Sequence, residues 1–184
     1  MTLVKICGIT NLDDAVTAVD AGADLLGFNF YRPSPRYIEP EEARRIIEQL
    51  PETVIQVGVF VNKALAEVER IAGETGLRIL QLHGDESPEY CASLKAKGYQ
   101  VMKVFNSGEN SNARSIGDYE VDFVMVDAAA RDVCGGTGQL SDWSQAWQAR
   151  EMFPRMFLAG GLSPENVSFT LSILLPPTPP KLPP

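Results

Sequence analysis

The stretch GADLLGFNF (22–30) decides the fold. Its run LLGFNF is apolar on successive residues, with no polar–apolar alternation, so both faces of an extended segment here meet apolar surroundings. That is the pattern of a strand in a parallel sheet covered on both sides. FVMV (123–126) repeats it. Working outward, short apolar runs recur at 3–6, 24–30, 54–61, 78–82, 100–105, 122–126 and 155–159. They begin roughly 20 to 33 residues apart, the length of a βα unit.

The segments between these runs carry helix signals. Thr10 or Asn11 caps a first helix that presents Leu12, Ala15, Val16 and Val19, and Gly22 stops it. Pro40 opens a second helix with Ala43, Ile46, Ile47 and Leu50 on one face, and Pro51 closes it. Asn62 precedes a third, built on Leu65, Val68, Ile71 and Ala72. Ser87-Pro88-Glu89 joins a cap to a proline at the first helical position, and Ser163-Pro164-Glu165 repeats the device at the head of a helix over 164–175. Asp142 caps a segment carrying Trp143 and Trp147, and 110–117 is the weakest helical segment.

Alternating βα units fold either as a doubly wound open sheet or as a closed barrel. An open sheet that binds nucleotides announces itself by a Gly-rich turn after its first strand. The corresponding turn here, CGIT (7–10), has one glycine, which favours an α/β fold of the TIM (β/α)8-barrel type. Seven βα units are recognisable; the eighth strand and helix are expected to be missing or replaced, leaving the barrel incomplete. A single domain is expected over 1–175. The tail PPTPPKLPP (176–184) holds six of the 13 prolines. Proline donates no backbone hydrogen bond and is excluded from central strands, so this tail is expected to be extended.

Composition narrows the function. The 184 residues carry a net charge of −8. Such a chain lacks the surplus of Lys and Arg that nucleic-acid phosphates or anionic lipid surfaces demand. No secretory leader and no apolar run of about 20 residues is visible, which points to the cytoplasm. Cys7, Cys91 and Cys134 form no CxxC or zinc spacing, and His83 is the sole histidine, so no metal or cofactor is expected.

In a barrel, chemistry gathers at the C-terminal ends of the strands. Asp127 closes the run 123–126, where partial desolvation suits a carboxyl to act as an acid; a turn aspartate is the equal alternative. Cys7 ends the first strand and is a candidate base, although a free cysteine more often fills a small apolar gap. Lys5 shares its side of the strand and supplies positive charge. Cys91 reads as core, and Cys134 sits in a Gly-rich loop. Arg36, in the proline-stiffened loop YRPSPRY (31–37), is placed to grip a carboxylate, or is simply solvated. His83 touches substrate or donates a structural hydrogen bond. Gly136, within GGTG (135–138), and the pair Gly160-Gly161 ahead of a capped helix offer backbone amides to a phosphate.

Taken together, KICGIT (5–10), GADLLGFNFYRPSPRYI (22–38), VGVFVN (57–62), LQLHGDE (80–86), VDFVMVDA (121–128), GGTG (135–138) and FLAGGLSPENV (157–167) resemble the phosphoribosylanthranilate isomerase family of tryptophan biosynthesis. The resemblance covers about residues 3–167 in order. It implies a cofactor-free Amadori rearrangement of N-(5′-phosphoribosyl)anthranilate, with Asp127 as general acid, Cys7 as general base, Arg36 on the anthranilate carboxylate and Gly160-Gly161 on the phosphate. Past Val167 the chain departs from the family pattern, whose eighth strand and following loop complete the phosphate site. The competing readings are therefore an active isomerase, as monomer or homodimer; a remnant keeping the fold without turnover; and a phosphosugar isomerase of histidine biosynthesis. The last is disfavoured because that relative is expected to carry an aspartate where this chain has Cys7.

Overall fold

The computed structural model describes residues 2–106, 116–127 and 156–169. Two compact units are distinguished. The first comprises residues up to 104 together with 118–123, and the second takes in 105–117 and 124 onward.

The first unit alternates strand and helix: β1 (Lys5–Cys7), α1 (Leu12–Asp20), β2 (Leu25–Asn29), α2 (Pro40–Ile47), β3 (Ile55–Phe60), α3 (Leu65–Thr75), β4 (Ile79–Leu82), α4 (Pro88–Ala96) and the first part of β5 (Gln100–Asn106). The strands pair in chain order and all in parallel. Their register is staggered. One row of partners runs Cys7, Gly27, Val57, Ile79, Gln100, so the last residue of β1 is level with the first of β5. Such a slant is the shear that a closing sheet requires.

Both sheet faces are buried over β2 to β5, as the LLGFNF run implied, whereas β1 has Ile6 and Cys7 exposed. Leu26, Phe28, Phe60, Leu80, Leu82 and Val101 point to the helices and join Ala15, Ala43, Ile46, Val68, Ile71 and Leu94 in the main core. Phe30 stacks on Phe60 with ring centroids 5.3 Å apart. The alternate residues Leu25, Val57, Val59, Ile79, Met102 and Val104 are also buried but lie outside that cluster, on the opposite face. Each such side chain removed from water contributes about 1.5–3 kcal/mol.

The helix boundaries follow the local chemistry. Asn11, and not Thr10, is the cap of α1: its side-chain oxygen accepts from Asp14 N at 2.8 Å. Val16, expected on the apolar face, is exposed. Ser87 caps α4 by accepting from Tyr90 N at 3.3 Å. Cys91 in α4 is core, and burial pushes its thiol up to about 11. α2 stops at Ile47, short of Leu50, whose N–H closes a tighter turn onto Ile47 O at 3.1 Å. α3 begins after Ala64 and is not capped by Asn62. Asn62 instead adopts a left-handed backbone (φ 48°), and its side-chain oxygen accepts from Asp85 N at 2.7 Å.

That contact belongs to a buried ionic knot. Glu86 accepts from Asn62 N at 2.8 Å, from Gly84 N at 3.0 Å and from Lys103 Nζ at 3.1 Å. Lys103 Nζ also donates to Gly84 O at 2.7 Å, and both charged side chains are out of water, at 0% and 2% exposed. The knot fixes the 83–86 turn leaving β4. A charge this deep is tolerable only when paired and fully hydrogen-bonded.

β6 (Phe123–Asp127), which belongs to the second unit from Val124 on, pairs in parallel with β7 (Met156–Ala159), from Val124 opposite Met156 to Asp127 opposite Ala159. β7 is the last strand among the described residues. A turn at 164–166 leads into helical residues 167–169. Of the expected helices, 110–117 is described only as a short 3₁₀ turn at 116–118; the Trp143 segment, the rest of 164–175 and the 176–184 tail lie outside the described residues.

Replacing Lys103 by Met leaves Glu86 as an uncompensated buried carboxylate. The expected loss is roughly 3–5 kcal/mol, read as a lower midpoint in urea-induced unfolding.

Candidate active site

β1 is a short strand whose last residue, Cys7, carries an exposed thiol; it is not the buried apolar filler that is the usual fate of a free cysteine. Its neighbour in register is Gly27. A Cβ added at Gly27 would stand 2.8 Å from Cys7 Sγ and 2.9 Å from Lys5 Nζ. The thiol and the ammonium therefore share the hollow left by the glycine, on the face of the sheet away from the helices. Lys5 has no hydrogen-bond or ion-pair partner among the described residues.

The next residue, Gly8, has φ +93°, a conformation that L side chains rarely adopt. A Cβ there would lie 2.5 Å from Arg36 Cδ and 3.2 Å from Arg36 Cβ. The aliphatic stem of Arg36 thus lies across the backbone that follows Cys7, and this brings two of the expected site residues together. The loop after β2 holds Arg36 there. Asn29 at the strand end accepts from Tyr31 N at 2.9 Å and donates to Ser34 Oγ at 3.1 Å. Ser34 Oγ in turn accepts from Arg36 N at 3.2 Å. Arg32 packs over the Tyr37 ring, 5.1 Å from its centroid, and pairs with Glu39 at 3.3 Å. Burial and the Glu39 carboxylate raise the Tyr37 hydroxyl above its usual range. The Arg36 side chain itself stays exposed.

His83 follows β4 directly, half-exposed, its backbone N–H donating to Phe60 O at 2.9 Å. The ionic knot below it sets the turn that it begins.

In the second unit, Asp127 ends β6, half-buried, opposite Ala159 at the end of β7. Gly160 and Gly161 follow, with φ 84° and 64°. Asn166 braces their turn, donating to Gly161 O at 2.8 Å and accepting from Ser163 N at 2.8 Å. Ser163 also lowers the Glu165 carboxyl below its usual range by hydrogen bonding. Gly136 and Cys134 lie outside the described residues. Among the described residues no cluster of His, Cys, Asp and Glu is arranged to hold a metal ion, and no helix is long and apolar enough to cross a membrane.

Two elements of the site escape a reading of strand ends alone. Gly8 and Gly27 matter for the side chains that they admit, which only packing reveals. The Glu86–Lys103 pair had a signal: a lysine within the buried run VMKVF (101–105) needs a buried partner.

Known proteins place these features in a family. Residues 4–177 match the family model described as N-(5'phosphoribosyl)anthranilate (PRA) isomerase. The N-(5'-phosphoribosyl)anthranilate isomerase of Citrifermentans bemidjiense is 47% identical over 176 residues, covering 96% of this chain and 84% of the relative. That of Thermotoga neapolitana is 43% identical, covering 96% and 85%. Among solved structures, the phosphoribosyl anthranilate isomerase of Thermotoga maritima is 40% identical with a TM-score of 0.86, covering 95% of this chain and 84% of that one. A phosphoribosyl anthranilate isomerase in complex with reduced 1-(o-carboxyphenylamino)-1-deoxyribulose 5-phosphate is 39% identical with a TM-score of 0.81, covering 95% and 83%. The fold is of the TIM-barrel type, and the chain belongs to the N-(5'-phosphoribosyl)anthranilate isomerase family.

Proposed function

We propose that this chain is an isomerase of tryptophan biosynthesis that rearranges N-(5′-phosphoribosyl)anthranilate to 1-(2-carboxyphenylamino)-1-deoxyribulose 5-phosphate, with Asp127 as acid and Cys7 as base. The observation that carries the assignment is the exposed Cys7 thiol at the end of β1, beside the Lys5 ammonium, with Arg36 laid across the adjoining Gly8.

The chemistry asks for two proton transfers. Asp127, starting protonated, gives its proton to the furanose ring oxygen. The C1–O bond breaks, and the aniline nitrogen lone pair forms a C1 iminium. Cys7, as thiolate, removes the proton from C2; the C–H electrons form the C1–C2 double bond and neutralise the iminium. The resulting enolamine takes a proton at C1 and loses one from the C2 hydroxyl, giving the ketone. Atoms and electrons balance within one molecule. General acid–base catalysis of this kind contributes typically 10²–10⁴-fold for each group.

The remaining residues bind. Arg36 presents a planar fork to the anthranilate carboxylate. The positive-φ pair Gly160-Gly161 offers backbone amides to the phosphate, and Gly136 is a further substrate-binding residue on the sequence reading. His83 contacts the substrate from the end of β4. The substrate is a small phosphoribosyl compound; the acidic chain is not built for nucleic acid or membrane surfaces, and it works in the cytoplasm as a monomer or homodimer. Dimeric forms occur in this family: one solved relative is described as the mutually generated monomers of a dimeric enzyme of Thermotoga maritima.

The decisive assay follows the loss of phosphoribosylanthranilate fluorescence with substrate generated in place. Asp127→Asn is expected to abolish turnover while retaining product binding, and unchanged turnover would sink the acid assignment. Cys7→Ser is expected to slow the reaction by on the order of 10²-fold or more, and a rate within a few-fold of the parent would assign the base elsewhere. Arg36→Met removes a charge-assisted bond and should raise KM about 10–100-fold with the unfolding midpoint unmoved; an unchanged KM would take the carboxylate away from Arg36.

A further inference from the structure

Gln81 lies in the middle of β4, 2% exposed, and its side-chain oxygen is buried without a hydrogen-bond partner among the described residues. Strand alternation fixes its side. Leu80 and Leu82 enter the helix-facing core, so Gln81 points to the opposite face, the one that carries Cys7, Lys5 and the hollow of Gly27. It stands two residues before His83. Its row in the sheet is Asn29, Val59, Gln81, Met102, two residues further along the strands than the row that ends at Cys7 and so the next on that face.

A buried amide oxygen left unpaired costs stability, and native proteins rarely keep one without a use. A trapped water is a poor answer here, because a buried water needs two to four polar partners. Val59 and Met102, which flank Gln81 in register, offer no polar side-chain atom for one. Asn29 has both ends of its amide committed to Tyr31 and Ser34. A donor that is already tethered to a larger bound molecule needs only the one partner.

Resting on the isomerase reading, we propose that Gln81 is a further substrate-contacting residue, whose side-chain oxygen accepts a hydrogen bond from a hydroxyl of the phosphoribosyl group. In the free protein the oxygen is held ready at a cost to stability, and the ligand satisfies it. An aliphatic side chain at this position would satisfy the fold better than glutamine does and would serve the ligand worse.

Opposite signs for stability and binding make the test. Gln81→Met and Gln81→Asn are compared with the parent by thermal unfolding and by calorimetric binding of reduced 1-(o-carboxyphenylamino)-1-deoxyribulose 5-phosphate. The expected result is a Tm for Gln81→Met equal to or above the parent's, with binding weakened about tenfold. Gln81→Asn, whose amide is withdrawn by one methylene, should also bind less tightly. A fall in Tm with binding unchanged would show that the amide serves the fold and overturn the proposal. So would a Gln81→Met chain that does not fold, or variants that bind like the parent. Failure of the parent itself to bind the analogue would overturn the isomerase reading and this proposal together, whereas equal binding by parent and Gln81→Met removes only the role of Gln81.

Discussion

The parallel sheet must have both faces out of water, and most of this structure follows from that requirement. Parallel strands need crossover connections, and the crossovers here are helices that cover one face. The other face has no such cover and is buried by its own Val57, Val59, Ile79, Met102 and Val104. Polar groups placed on that second face are therefore conspicuous. Lys5, Cys7 and Gln81 stand there: an ammonium, a thiol and an amide whose oxygen can accept a hydrogen bond. Functional groups break the local preference for apolar side chains, and stability is lost where they do.

The ionic knot shows a different use of burial. Glu86 and Lys103 pair on the helix side of the sheet, away from the face that carries Cys7. Their hydrogen bonds reach Asn62, Gly84 and, through the Asn62 side chain, Asp85. A loop of ordinary sequence, HGDE (83–86), is thereby given one conformation. Apolar packing alone does not select a turn geometry so sharply, because it has no direction. A buried charge pair with several fixed partners does.

The order and type of elements could be read from the chain because periodicity is a strong signal in a two-faced parallel sheet. The seven strands among the described residues fall on the apolar runs, and Asn11, Pro40, Ser87 and Pro88 mark helix starts as their chemistry dictates. Asn62, which precedes α3, shows that asparagine serves two local purposes. It caps helices, and it also tolerates a left-handed backbone, which is the role that it takes here. Cys7 was ambiguous on its own, since a thiol at a strand end reads more often as filler than as base. The missing information was the absence of a Cβ at Gly27, twenty residues away in sequence and adjacent in register. The seat of Arg36 on Gly8 was hidden in the same way. Contacts of this kind depend on which atoms are lacking, and a one-dimensional pattern does not weigh them.

The seat of Arg36 also bears on the thermodynamics of recognition. An arginine side chain has about 2 kcal/mol of rotamer entropy to lose when its head is immobilised. With its stem laid over Gly8 and its backbone N–H tied to Ser34, part of that loss has occurred during folding. On the proposed reading, a carboxylate arriving at the exposed guanidinium meets a side chain whose stem has fewer orientations left to give up. Association is then less opposed by side-chain ordering, and discrimination falls on the angle at which the planar fork is presented.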